Sequence, residues 1–295
     1  MRKSDKIYLI TTFAIFIPIF ILLMIFDWQI SAELIPKQVN WFTVGFDAYG
    51  QSIAVIPSFL ILIFSINYFL IRTNNSRTNR LSWLVLWTIL MNGVVYYFLI
   101  KKTLSSNVAF FQASQSGLYK SAALVINLVM TVIEFSFVCY LTLSPFMSSN
   151  EMGRLLFQRT WTAFVFVILM LVTCEVLKNF FGRPRPREIV DAFYQKNHFH
   201  YAFEPCFQDY RSKSFPSGHT VSSVLMLSTL FYVPKKSKGA FYTLLAFNVV
   251  TIGCTGLARV MIHAHWSTDV TFSMFLGAMY YFASPKIVKK MKGWK

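Results

Sequence analysis

Ala258-Arg-Val-Met-Ile-His-Ala-His-Trp-Ser-Thr-Asp269 closes one apolar run and opens the next. It places Arg259, His265 and Asp269 at the join. His265 and Asp269 stand four apart, so on a helix they share a face. Asp269 already belongs to the run that continues Val-Thr-Phe-Ser-Met-Phe-Leu, and a carboxylate there is costly without a partner or a job. His265 is the nearest partner. A carboxylate on one ring nitrogen fixes the tautomer and leaves the other nitrogen as a base or nucleophile. Arg259 supplies a charged fork suited to phosphate. A snorkelling arginine beside a helix-pairing His–Asp contact is the plain alternative at this point.

Two other stretches have the same character. Lys178-Asn-Phe-Phe-Gly-Arg-Pro-Arg185-Pro186 ends an earlier apolar run, and Ser214-Phe-Pro216-Ser217-Gly218-His219 opens a later one. A helix beginning at Pro216-Ser217-Gly218 presents unpaired N–H groups and a positive dipole end, which together attract an anion. Gly218 lets a phosphate come close to the backbone. Ser217 adds a hydroxyl or serves as an N-cap, and the two roles are compatible. His219 falls in the first turn; taken alone it reads equally as an interfacial histidine. Lys178 alone reads as snorkelling. The two prolines stiffen the turn that carries Arg183 and Arg185. Arg183 is assigned to headgroup contact.

Together the three stretches resemble the signature of the type 2 phosphatidic acid phosphatase superfamily, the integral-membrane lipid phosphate phosphatases. Lys178, Arg185 and Pro186 match its first part; Pro216, Ser217, Gly218 and His219 its second; Arg259, His265 and Asp269 its third. Ala258 departs from the family's usual serine. The resemblance covers roughly residues 160–285. It implies a vanadium-haloperoxidase-like helical core in the C-terminal half, with His265 as nucleophile, Asp269 orienting it, and His219 protonating the leaving oxygen. Lys178, Arg185, Ser217, Gly218 and Arg259 would then hold the phosphate. No metal and no cofactor are implied.

Composition sets the setting. Of 295 residues, 55% are hydrophobic and 14% charged, against about 25% charged in soluble proteins. The net charge of +16 does not indicate nucleic acid, because the basic residues cluster between apolar runs in the pattern of membrane orientation. Cys139, Cys174 and Cys254 lie in apolar runs and Cys206 in a loop, with no spacing for zinc or disulfides.

Apolar runs are read at about 7–26, 52–71, 81–100, 121–143, 160–177, 217–233, 240–257 and 266–283. The expectation is an all-α polytopic membrane bundle of about eight transmembrane helices, six at least. The first run imitates a signal peptide, but it has the length of a span and no small-residue cleavage site. A short interfacial helix is expected within residues 27–51, with Trp28 and Trp41 at headgroup level. Residues 1–159 form the N-terminal helices, 160–285 the phosphatase core and 286–295 a basic cytoplasmic tail. With the N-terminus inside, sixteen of the 28 basic residues fall on inner segments, which puts all three motifs on the outer face. A bacterial inner membrane fits this reading.

Within the spans, Glu134 and Glu175 pair with helix neighbours or line a substrate path. His198, His200 and His263 with Glu204 or Asp209 offer only a weak metal pattern. The loop 188–215 is rich in aromatics, among them Phe193, Tyr194, Phe199, Tyr201, Phe203, Phe207 and Tyr210. The expected function is removal of a terminal phosphate from a lipid: undecaprenyl diphosphate, phosphatidylglycerophosphate, phosphatidic acid or lipid A. The partners are that lipid and the bilayer, and no oligomeric state is assigned. The alternatives are a phosphotransferase using an acceptor other than water, and a lipid-binding or transport protein that keeps the fold.

Overall fold

The computed structural model describes residues 3–97, 113–191, 198–206, 213–234 and 236–292. Among the described residues the fold is helical throughout, without a strand. Ten α-helices follow in order: α1 (Lys3–Gln29), α2 (Trp41–Ser52), α3 (Val55–Arg72), α4 (Arg77–Tyr96), α5 (Ala113–Leu143), α6 (Asn150–Phe181), α7 (Pro186–Ile189), α8 (Gly218–Val224), α9 (Lys238–Met261) and α10 (Ser267–Lys292). A π-helical turn at Ile30–Leu34 extends α1, and a 3-10 segment at Leu225–Tyr232 extends α8.

All eight expected runs fall on helices; the end of the 81–100 run and residues 101–112 lie outside the described residues. Among the described residues, five helical stretches are by themselves long and apolar enough to cross a membrane: Lys6–Leu34, Trp41–Arg72, Gly117–Leu143, Asn150–Ile189 and Lys238–Met261. The run at 217–233 is the shortest. It comprises seven α-helical and eight 3-10 residues. The steeper 3-10 rise stretches it to about 26 Å, close to the hydrocarbon thickness. The boundary at 159/160 lies inside α6, and α10 runs on through Lys286, Lys289 and Lys290 to Lys292.

Two cores hold the bundle. Phe166, Met170 and Cys174 of α6 pack with Val221 and Val224 of α8, Ile252 of α9 and Leu276 of α10. Phe59 and Ile63 of α3 pack with Leu84 of α4, Val138 and Leu141 of α5, and Leu156 of α6. The first core sets the C-terminus of α6, the N-termini of α8 and α10, and the C-terminus of α9 at one end of the bundle.

The expected helix within residues 27–51 is α2, and it is packed into the bundle: Thr43, Val44, Asp47 and Ala48 are buried, and it packs on α5, α8 and α9. Asn40 and Thr43 form a capping box at its start, with Thr43 N–H donating to Asn40 Oδ1 at 3.0 Å. Trp28 is likewise buried, stacked on Trp266 with centroids 6.4 Å apart, whereas Trp41 is 76% exposed.

Candidate active site

Three helix ends and one turn build the site. α6 ends on Gly182, whose left-handed backbone (φ 56°) turns the chain out of the helix at no steric cost. Cys206 N–H then donates to Phe181 O at 2.8 Å, and Ser214 N–H to Arg183 O at 2.7 Å, which fasten the loop around the turn. Pro186 opens the four-residue α7, and Arg185 precedes it with its backbone N–H donating to Glu188 Oε2 at 2.8 Å. Lys178 Nζ would lie 2.7 Å from a Cβ added to Gly218, so the missing side chain makes room for the ammonium over the start of α8. Ser217 is the N-cap there: its Oγ accepts from Thr220 Oγ1 at 2.9 Å and keeps its own proton to donate. Ala258, where the resemblance expects serine, is fully buried beside Arg259.

The cations are crowded and poorly hydrated. Arg185 and Arg187 are both half-buried and lie close enough for their charges to repel. Such a cluster is relieved by an anion at its centre. The buried Nε atoms of Arg185 and Arg259 have no hydrogen-bond partner among the described residues.

His265 lies at the centre of this cluster and is 1% exposed. Burial, followed by Arg185, Arg259, Lys178 and His219, holds its imidazole well below the usual histidine range, so the ring is neutral. Its Nδ1–H donates to the Ser214 carbonyl at 2.8 Å. That bond puts the free lone pair on Nε2, the nucleophilic tautomer. The expected His265–Asp269 pair is present, with His265 Nδ1 3.5 Å from Asp269 Oδ2, although α10 begins only at Ser267. Asp269 Oδ2 also accepts from the Trp266 N–H at 2.9 Å and from the Ser214 hydroxyl. The two side chains are thus linked through Ser214 and the turn as well as directly.

Arg183 is the largest correction. It does not reach toward headgroups but is 1% exposed at the base of the site. Its Nη1 donates to Asp269 Oδ1 at 2.7 Å, its Nη2 to Asp27 Oδ2 at 2.9 Å and its Nε to His200 O at 2.8 Å. The guanidinium lies 5.1 Å from the Trp266 ring and 5.5 Å from Phe199. The family spacing selects Arg185, and nothing in the spacing marks Arg183 as the buried partner. Asp27 went unnoticed too, although it ends the first apolar run. It accepts from Ser267 Oγ at 2.5 Å and from Thr268 N–H at 3.2 Å, so α1 is tied to the start of α10. An acid at the end of a 20-residue apolar run was the signal available.

Other expected residues take plain roles. Glu134 accepts from Asn92 at 2.6 Å, joining α5 to α4, and Glu175 from its helix neighbour Asn179 at 3.0 Å. His263 does not join the other loop histidines: its Nδ1 meets Asp191 at 2.5 Å and its Nε2 donates to Ile35 O at 2.8 Å. Among the described residues no three His, Cys, Asp or Glu side chains converge as a metal site; Asp209, Phe193, Tyr194, Phe207 and Tyr210 lie outside them. Asp47 of α2 is the remaining surprise, since it is buried and pairs with Arg259.

Residues 159–292 match the family model described as PAP2 superfamily. A lipid A 1-phosphatase of Porphyromonas gingivalis is 28% identical over 87 residues, which cover 28% of this chain and 19% of that protein. The chain thus aligns with less than a fifth of that relative's length. No solved structure matches the chain significantly.

Proposed function

We propose that this chain, whose residues 159–292 match the PAP2 superfamily, is a phosphatase that removes a terminal phosphate from a lipid, without a metal, through a phosphohistidine on His265. The observation that carries the reading is the neutral, Nδ1-anchored His265 set among Lys178, Arg185 and Arg259. Phosphoryl transfer asks mainly for positioning and for charge on the equatorial oxygens. The three cations and the Gly218 N–H supply the charge. His265 Nε2 attacks in line and His219 protonates the leaving oxygen. Water activated by His219 then releases phosphate. Residues 160–285 form the core of this machinery, and the N-terminal helices brace it.

The name of the Porphyromonas relative supports a lipid substrate and puts lipid A first among the four candidates. The deciding experiment is a phosphate-release screen of the purified protein in micelles against those four lipids. Release from at least one, with water as acceptor, is expected. Product formed only when an alcohol acceptor is added would mark a transferase, and lipid binding without release would mark a carrier.

Activity should persist in excess EDTA, because fixed cations already neutralise the phosphate. Loss on chelation that one divalent ion restores would contradict this. The pH profile should carry the sign of the His265 shift. A nucleophile held well below the usual histidine range stays neutral as pH falls. After correction for the substrate's own ionisation, kcat/KM should therefore hold from pH 7.5 down to about 6, near the ordinary histidine value. A fall of about fourfold over that interval, as a histidine titrating near 6.5 would give, would show that His265 protonates normally.

The distribution of basic residues supports an outer site, in a bacterial inner membrane with both termini cytoplasmic. Cys206 is buried and makes a poor reporter, whereas Tyr201 is 48% exposed on the same segment. An impermeant maleimide should label Tyr201→Cys in intact cells and Lys236→Cys only after permeabilisation. The reverse pattern would invert the topology.

A further inference from the structure

The matched family region begins at residue 159, yet α2, far upstream, delivers two polar side chains to the site. Asp47 is 1% exposed, pairs with Arg259 Nη1, and its Oδ1 lies 3.7 Å from His219 Nε2. One turn later, Gln51 Oε1 lies 3.2 Å from the same nitrogen. The hydroxyl of Tyr119 on α5 reaches Gln51 Oε1 from the other side at 3.5 Å. Gly50 makes the approach possible: a Cβ there would lie 2.5 Å from Thr255 Cγ2 and 3.4 Å from His219 Cβ. A carboxamide oxygen only accepts, so the Nε2 that faces it carries the hydrogen. The Asp47 carboxylate, already paired with Arg259, adds a second acceptor on the Nε2 side of the ring. His219 Nδ1 is then the nitrogen left to serve the reacting phosphate.

We propose that Asp47 and Gln51 are positioning residues for proton transfer: they hold the neutral His219 ring by its Nε2–H, so that once a phosphate anion offsets the surrounding cations the charged ring presents Nδ1–H to the leaving oxygen. The proposal rests on the reading of His219 as proton donor. In the first step the His265 Nε2 lone pair forms the bond to phosphorus. The bond from phosphorus to the leaving oxygen breaks, and that oxygen keeps the pair and takes the Nδ1 proton. His219 is left neutral, still holding Nε2–H against Gln51. In the second step its Nδ1 takes a proton from water as the water oxygen bonds to phosphorus. The His265–phosphorus bond breaks, the pair returns to His265 Nε2, and His219 is charged again. Asp47 meanwhile keeps the Arg259 fork aimed at the phosphate.

The test compares a poor leaving group with a good one. Gln51→Leu should lower kcat on dioleoyl phosphatidic acid in mixed micelles about 100-fold, and on 4-nitrophenyl phosphate less than about 5-fold, whereas Asp47→Asn should slow both substrates because it also releases Arg259. KM and thermal midpoint should change little for Gln51→Leu, and Asp47→Glu should recover part of the loss. Nitrogen-15 histidine spectra of the detergent-solubilised protein give a readout that needs no activity. His219, assigned with His219→Ala, should be protonated at Nε2 in the native chain and shift toward a tautomer mixture in Gln51→Leu. In Gln51→Leu, equal losses on both substrates or an unchanged His219 tautomer would overturn the proposal. If the native protein releases no phosphate from either compound, the phosphatase reading fails, and the spectra alone decide whether α2 sets the His219 tautomer.

Discussion

Arg183→Met should destabilise the protein by about 3–5 kcal/mol, more than any other single change at the site. Arg183 is the shared partner of two carboxylates, Asp27 and Asp269, both fully buried. Methionine fills most of the volume but leaves both acids uncompensated, and an unpaired buried charge costs far more than the pair contributes. The midpoint of thermal unfolding in detergent should fall on the order of 10 °C. Arg183→Lys should lie between, because an ammonium cannot reach both acids in the fork geometry that Nη1 and Nη2 provide. Adding Asp27→Asn to Arg183→Met should recover part of the loss, since one stranded charge is removed. A midpoint within about 2 °C of the native value in Arg183→Met, under 1 kcal/mol on that scale, would show that the cluster is not what binds α1 to α10.

His265→Ala should reduce turnover by about 10⁴-fold or more while leaving the fold intact, because no covalent intermediate can form. Phosphate release at saturating substrate measures the loss; more than a tenth of native turnover would remove His265 from the nucleophile's role. Asp269→Asn separates orientation from attack. The amide keeps a group of the same shape, but the Nδ1–H of His265 is held by the Ser214 carbonyl at 2.8 Å. The tautomer should therefore survive, and the kinetic loss should be smaller than in His265→Ala. The stability loss should be larger, because Asp269 also serves Arg183 and the Trp266 N–H.

Much of this was readable from the chain. The eight apolar runs are helices because each offers a continuous stretch of Leu, Ile, Val and Phe with few charges. The three motifs meet because each sits where such a run ends or begins. Lys178, Gly218, His219, Arg259 and His265 are drawn together as their spacing suggests. What spacing does not carry is which groups from elsewhere face them. Asp27 and Asp47 belong to stretches without a motif, and their partners lie 156 and 212 positions away in Arg183 and Arg259. Arg183 and Arg185 flank the same proline and look alike in sequence. Only the tertiary turn after Gly182 sends one inward to the carboxylates and the other toward the cation cluster around His265. The same turn brings Ser214 onto His265, so a backbone carbonyl shares the work that the i, i+4 rule assigns to Asp269.

The central claim is that phosphate passes through His265. Rapid acid-free quenching of the native protein with radiolabelled lipid phosphate, followed by peptide mapping, tests it most directly. The label should be acid-labile, stable to base, located on the peptide carrying His265, and absent in His265→Ala. Label on a serine or aspartate, or native turnover in His265→Ala, would contradict the account.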